Sequence, residues 1–503
     1  MKIVKSLMLG SAAGLLAMSG AQAADLPVKA KAVEYVRICS LYGAGFFYIP
    51  GTDTCIKLGG YLRVETALGT NTVYTQTRNN GLGGANNRFS NYYTARSRED
   101  LNIDTRTATE YGVVRTYFDA TFSWTTTNAN VAGTIGPTQN AGIAGSDTIG
   151  VYHAFIQFAG FTLGKTYSQF DAPWYNYPAN NFDGLVGGGG DVTGVNQLTY
   201  TADLGNGVSA SISAQDQVAY YTSNLWNTSG ATAAGIVTGA YGAQSFAGTA
   251  APDIVGMLRV DQAWGLFQLS AAAHDNHASY YNPANETSGH PSDKWGFAVQ
   301  GALSIKNIPT GPGDTLSVQA VYTDGATRYN FQSLAATTFA MYGSTGLGGA
   351  YQSLAFAGAS DAVFAGASAA TGTALETTRT WGFRGGYNHN WNPYWSTGLY
   401  GAYAQVMYSD AGKTLVCAGI TPILTAGSTC NPDFSIGQIG MITRWTPVKN
   451  LTFSADLTYT HLDQKFSGSI NAPAVAAIAK PAAVYELKDQ DSVSMLIRAQ
   501  RNW

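Results

Sequence analysis

From Ile56 to Leu68 the side chains alternate. Ile56, Leu58, Gly60, Leu62, Val64, Thr66 and Leu68 hold the even positions, and Lys57, Gly59, Tyr61, Arg63 and Glu65 the odd ones. A period of two sends the two sets to opposite faces of a β-strand. A strand that is greasy on one face and charged on the other belongs between lipid and water. The design returns from Ala95 to Thr105, where Arg96, Arg98, Asp100, Asn102, Asp104 and Arg106 share a face. It returns again where Val114, Thr116, Phe118, Ala120 and Phe122 alternate with Arg115, Tyr117 and Asp119.

The same reading predicts strands near 148–158, 161–167, 196–202, 208–215, 254–261, 267–274, 295–305, 315–323, 380–388, 395–406, 435–445, 451–461 and 492–503, sixteen with the first three. The clearest hairpin pairs Leu198, Tyr200 and Ala202 with Val208, Ala210, Ile212 and Ala214 on one face, with Gln, Thr and Ser on the other. Short links, 107–110, 159–160, 203–207 and 262–265, alternate with long polar stretches such as 123–147. An even strand number with alternating short and long connections predicts an all-β fold. It is a 16-stranded antiparallel transmembrane β-barrel with brief periplasmic turns and extended outer loops. Closure removes the unpaired edges that an open sheet would present to lipid. Trp264, Trp295, Trp381, Trp391, Tyr394, Trp395, Trp445 and Trp503 fall at predicted strand ends, where an aromatic girdle would sit. Phe118, Phe122, Phe155, Phe158 and Phe161 are expected on outward faces, against lipid or another subunit.

Composition narrows the alternatives. Only 12% of the 503 residues are charged, against about 25% in a soluble protein. Outside the N-terminus no apolar run is long enough for a membrane helix. Aromatics at 12% argue against disorder, and a net charge of -3 offers no basic footprint for nucleic acid. Small residues beside Arg and Asp on the presumed inner faces suit a watery interior better than a packed one. The six histidines are scattered, no motif encloses a nucleophile, and no cofactor or metal motif is present, so the chain reads as a non-enzyme. Lys2 and Lys5, the apolar stretch 7–18 and Ala21-Gln22-Ala23 predict an export signal over 1–23. Export permits two local disulfides, Cys39 with Cys55 and Cys417 with Cys430.

A barrel of this size encloses a bore too wide for side chains to fill, so an aqueous channel follows. The third long connection, 166–194, is the candidate for narrowing it. It carries Asp171, Asp183 and Asp191, four aromatics and the run Gly187-Gly188-Gly189-Gly190. Strand parity points Lys57, Arg63, Arg96, Arg98, Arg106 and Arg115 inward from the first three strands, and Arg259, Arg384, Arg444 and Arg498 inward from later ones. A basic wall facing an acidic loop would set a transverse field across the narrow zone. The negative net charge favours cations and the inward arginines favour anions.

The stretch from Tyr42 to Cys55, YGAGFFYIPGTDTC, followed by Leu58-Gly59-Gly60-Tyr61-Leu62-Arg63, resembles the N-terminal signature of the alphaproteobacterial (rhizobial and brucella-type) general porin family. Shorter stretches at 109–115, 154–161, 258–265, 445–451 and 501–503 extend the resemblance along the chain. It implies an outer-membrane porin that passes small hydrophilic solutes and ions by passive diffusion, with a third loop narrowing each pore. It further implies a homotrimer in contact with outer-membrane lipid and lipopolysaccharide. The expected division is a leader 1–23, a periplasmic segment 24–54 and a barrel 55–503. The alternative is a substrate-selective outer-membrane channel.

Overall fold

The computed structural model describes residues 37–70, 72–79, 81–125, 150–190, 192–217, 222–332 and 335–503. The expected leader 1–23, the start of the N-terminal segment, and Asp191 lie outside the described residues. Sixteen strands form the wall: β1 Cys55–Leu68, β2 Tyr93–Thr109, β3 Gly112–Thr125, β4 Gly150–Phe158, β5 Phe161–Thr166, β6 Val195–Gly205, β7 Val208–Gln215 and β8 Asp253–Gln262, then β9 Gly265–Asn276, β10 Lys294–Lys306, β11 Thr315–Asp324, β12 Glu376–Asn392, β13 Trp395–Tyr408, β14 Phe434–Val448, β15 Leu451–Gln464 and β16 Gln490–Asn502. Each pairs antiparallel with its chain neighbour, and β1 pairs with β16 from Tyr61 with Asn502 to Leu68 with Met495. The sheet is closed, so the backbone polar groups of every wall strand find partners on both sides.

The alternation read from the sequence is the pleat of this wall. Leu58, Leu62, Val64, Leu198, Ile212, Ile439 and Val493 are exposed on its outer surface, whereas Glu65, Arg96, Asp100, Gln197 and Ser213 point inward and are buried. All eight girdle aromatics are exposed. Three turns are tighter than expected. The β2–β3 link is Glu110-Tyr111, because β2 continues to Thr109, and the β8–β9 link is Ala263-Trp264. The β6–β7 link is Asn206-Gly207, whose φ values of 51° and 75° give the left-handed pair that matches the twist of a two-residue hairpin.

One outward assignment is corrected. Phe155 faces inward, where its ring stacks on that of Tyr117. The cause is a bulge: Asp119 pairs with His153 but Ala120 pairs with Val151, so Tyr152 is passed over and parity inverts within β4.

The long connections at one end are not simple loops. Residues 224–227 pair parallel with 360–364, and 338–343, 352–358, 483–487 and 468–472 form a separate four-stranded sheet. A helix, Asp410–Ile420, starts on the Ser409 hydroxyl, which accepts from Gly412 N–H. Trp226, Tyr241, Phe339, Phe356, Val416, Ile420, Phe466 and Tyr485 from four connections pack into one apolar cluster. The helix is tied to its own connection by the Cys417–Cys430 disulfide, and Cys39–Cys55 ties the N-terminal segment to the start of β1. Buried Asp361 fastens this cap to the wall: it accepts from Ser223 and Thr327 N–H and stands 3.6 Å from His274, which in turn bonds Asp253 at the start of β8.

Lys480 sits in the cap with its ammonium 4.2 Å from the Tyr342 ring centroid and bonded to Gln352. Burial lowers its pKa to about 8. The unfolded chain, with an ordinary lysine near 10.4, therefore holds a proton that the folded cap has released between those values. Cap stability should rise as pH climbs from about 8 to about 10.5 and be flat below that window. Hydrogen exchange of residues 465–489 should slow across the window after correction for intrinsic rates, and the change should vanish in Lys480→Met. Faster corrected exchange at high pH would contradict the assignment.

Candidate functional site

The inward charges of β1 to β3 are arranged in shared pairs. Glu65 accepts from both Arg96 and Arg498, the latter at 2.6 Å. Asp104 accepts from both Arg106 at 2.9 Å and Arg115 at 3.0 Å. Arg63 donates to Gln500, Arg98 to Ser123, and Arg115 also to Gln157. Lys57 is exposed beside the Phe46 ring. All six basic residues expected on the inner wall are thus there, but they separate into two groups. Arg96 and Arg98 are 1% and 5% exposed. The connection 69–92 covers them: Tyr74 lies under the Arg96 guanidinium at 4.5 Å and its hydroxyl accepts from Arg98. Lys57, Arg63, Arg106 and Arg115 keep contact with solvent. Glu65, which carries two of the arginines, stands on the predicted charged face but nothing in its spacing distinguishes it as their anchor.

The connection 167–194 hydrogen-bonds to inward side chains of the opposite wall. Arg384 of β12 donates to the carbonyls of Tyr175, Leu185 and Gly189. Arg444 of β14 donates to Ala179 O at 2.6 Å, and Arg498 of β16 to Asn181 O at 3.1 Å. In return Asp456 accepts from Asn181 N–H at 2.6 Å, Gln438 from Val186 N–H and Gln300 from Gly189 N–H. Trp174 donates to Gln319 at 2.6 Å. Buried main-chain groups need such partners, and here long polar side chains of the wall supply them. Asp171 and Asp183 are both buried, and Asp183 accepts from the Tyr177 hydroxyl. The arginines of the opposite wall thus grip this connection through its carbonyls, where the sequence suggested its carboxylates.

Glycine explains the closeness. A Cβ on Gly386 would stand 2.5 Å from that of Ala179, and one on Gly382 3.0 Å from the Cα of Gly187. The run Gly187-Gly188-Gly189-Gly190 is itself buried, so its glycines serve backbone approach rather than freedom of movement. Inward glycines on β12 were the available sequence signal for this contact.

These contacts make the inner wall asymmetric. Gln268, Gln300, Gln319, Thr380, Arg384, Ala402, Gln438, Asp456 and Thr458, inward on β9 to β15, are all buried. On β1 to β4 the inward Glu65, Arg96, Arg98, Asp100 and His153 are buried too, but Tyr61, Arg63, Arg106, Arg115, Tyr117, Phe155 and Gln157 are only half-buried. Among the described residues no group of His, Cys, Asp and Glu is placed to hold a metal ion. A polar, basic, water-accessible inner strip inside a closed lipid-facing sheet is suited to letting solutes through.

Comparison with known proteins agrees. A family model described as the porin subfamily matches residues 25–496. The chain is 32% identical over 312 residues to porin Omp2b of Brucella suis biovar 1 (strain 1330), covering 61% of this chain and 75% of that one. The figures are the same for porin Omp2b of Brucella abortus (strain 2308). Among solved structures, the outer membrane channel DcaP of Acinetobacter baumannii matches with a TM-score of 0.53 at 13% identity, covering 91% of this chain and 99% of that one. That last likeness is one of fold. The chain belongs to the porin family and is a β-barrel channel of the Gram-negative outer membrane.

Proposed function

We propose that this porin passes small hydrophilic solutes and ions by passive diffusion along the inner face of β1 to β4, with the connection 167–194 as the element that narrows the bore. The observation that carries this reading is the half-exposed inward set Tyr61, Arg63, Arg106, Arg115, Tyr117, Phe155 and Gln157 on β1 to β4, set against the buried Gln268, Gln300, Gln319, Arg384, Gln438 and Asp456 of β9 to β15. Asp171, Asp183 and Asp191 belong to the narrowing segment, and Lys57, Arg63, Arg106 and Arg115 to the wall facing the open path. Arg96 and Arg98 act behind that surface, holding Glu65 and the connection 69–92.

The path should prefer anions. On the solvent-contacting part of β1 to β3, Lys57, Arg63, Arg106 and Arg115 outnumber Asp104 and Asp119. Local charge governs selectivity at a narrow pore more than the net charge of the chain. In this reading the chain divides into a leader 1–23, a periplasmic segment 24–54 and a barrel 55–503, and the described part of the segment, 37–54, sits at the periplasmic mouth. The Cys39–Cys55 bond and the packing of Phe46 beneath Lys57 and Arg106 support that placement.

The reading includes a homotrimer whose contact uses the outer face of β1 to β5, with lipid and lipopolysaccharide around the rest. Polar groups stand on that outer face: Thr105 bonds Thr116, and Trp503 donates to Glu99 at 3.2 Å. A carboxylate toward hydrocarbon is costly, and cover by another subunit removes the cost.

Purified protein in a planar bilayer under a KCl gradient should give stepwise openings with a reversal potential on the anion side. Arg106→Gln with Arg115→Gln should move that potential toward cations by roughly half its value or more; no current, or no shift, would contradict the proposal. Arg384→Ala takes a charged donor from three carbonyls; Leu185 O keeps Gln332 and Gly189 O keeps Gln319, while Tyr175 O loses its partner, at about 1–3 kcal/mol. Liposomes carrying that variant should swell at least about twofold faster than wild type in the larger of a series of neutral sugars, and equal rates would remove the narrowing role from this segment.

A further inference from the structure

An aromatic strip runs up the half-buried wall. At its foot the Arg106 guanidinium lies 4.9 Å from the Phe46 ring centroid. Above it Arg115 lies 5.2 Å from Tyr117 and 5.4 Å from Phe155, whose rings stack at 5.4 Å with planes 29° apart. His153 follows, 6.2 Å from Tyr117 and 4.2 Å from Tyr167. Tyr167 then stacks on Tyr175 at 3.8 Å with planes 14° apart. The strip thus climbs from the mouth of the barrel to the connection 167–194.

These rings are not filling a core. Tyr117, Phe155, Tyr167 and Tyr175 all retain solvent contact, and none belongs to an apolar cluster. Tyr175 is held at a φ of 49°, a conformation that bulky residues avoid, and its carbonyl is gripped by Arg384. Backbone strain retained at one residue accompanies sites whose side chain must stand in a set place. The strip is also charged: Arg106 and Arg115 share the single carboxylate of Asp104 on the Phe155 side of Tyr117, while the Asp119 carboxyl bonds the Tyr117 hydroxyl on its other side.

The geometry points to a binding track for aromatic carboxylates, planar rings that carry one anionic group. Ring faces offer stacking to a flat partner, and a guanidinium offers paired hydrogen bonds to a carboxylate. A neutral sugar uses the rings and not the charge, and an inorganic anion uses the charge and not the rings. A solute with both engages Arg115 and Tyr117 together and passes next to Tyr167 and Tyr175. This assignment rests on the conducting path proposed above and adds a solute class to it.

The probe is benzoate, added to the full-length channel in a planar bilayer with symmetric KCl. Cyclohexanecarboxylate supplies the same charge without a π face, and benzyl alcohol the ring without the charge. Benzoate should interrupt the KCl current at a concentration at least about threefold below that of cyclohexanecarboxylate, and benzyl alcohol should not interrupt it. Tyr117→Leu and, on the connection rather than the wall, Tyr167→Leu should each weaken the benzoate effect about two- to tenfold while the cyclohexanecarboxylate effect stays. A normal KCl current with equal responses to benzoate and cyclohexanecarboxylate would overturn the track and leave the porin path standing. Absence of any KCl current would overturn the path, and the track with it.

Discussion

Everything in this protein depends on closing the sheet. In hydrocarbon each unpaired backbone N–H or C=O costs several kcal/mol, and the pairing of β1 with β16 leaves no wall strand with a free edge. Once closed, sixteen pleated strands divide their side chains between two solvents. Leucines, valines and phenylalanines go out, and arginines, glutamines and serines go in. The alternation, the low charge content and the near-neutral balance of polar and apolar residues all follow from this division.

Closure creates a second problem, a bore wider than its side chains, and in the proposed reading the connection 167–194 answers it by binding the wall's own polar groups. Arg384, Arg444 and Arg498 donate to carbonyls of the connection 167–194, while Asp456, Gln438 and Gln300 accept from its N–H groups. Each partner is a long side chain projecting inward from a rigid strand, so the segment is held at several points along its course. The connection 325–375 adds to this, since Asn330 O accepts from both Gly187 and Gly188 N–H. These bonds all fall toward β9 to β16, and the proposed path therefore runs along the basic side of the wall. Two guanidiniums to each of Glu65 and Asp104 keep that side positive while ordering its side chains.

The barrel was legible in the sequence because its signal is local and repeated: each strand states its own alternation, and each turn its own breakers. Phe155 was misread because a bulge at Tyr152 inverts parity, and no neighbouring residue announces it. The inward arginines were identified by parity, but their depth was not. What buries Arg96 and Arg98 is Tyr74, on a different connection, and its aim is a tertiary fact. The carbonyl grip of Arg384 was equally hidden, since main-chain acceptors have no sequence signature. Gly382 and Gly386 carried a hint, two glycines on an inward face where bulk would be expected in a packed core. The strands in the connections stayed invisible because 224–227 pairs with 360–364 across the four intervening wall strands β8 to β11, and neither segment shows alternation of its own.

The central claim is that water follows β1 to β4 and not β9 to β15. The four native cysteines are all in disulfides, so a single introduced thiol reports its own surroundings. Gln157→Cys on β4 and Thr458→Cys on β15 both point inward, one half-buried and one fully buried. A charged, water-soluble methanethiosulfonate added to the open channel should reduce the current through Gln157→Cys within seconds and leave Thr458→Cys unchanged. Modification of Thr458→Cys with Gln157→Cys unaffected would put the water on the other wall and contradict the account.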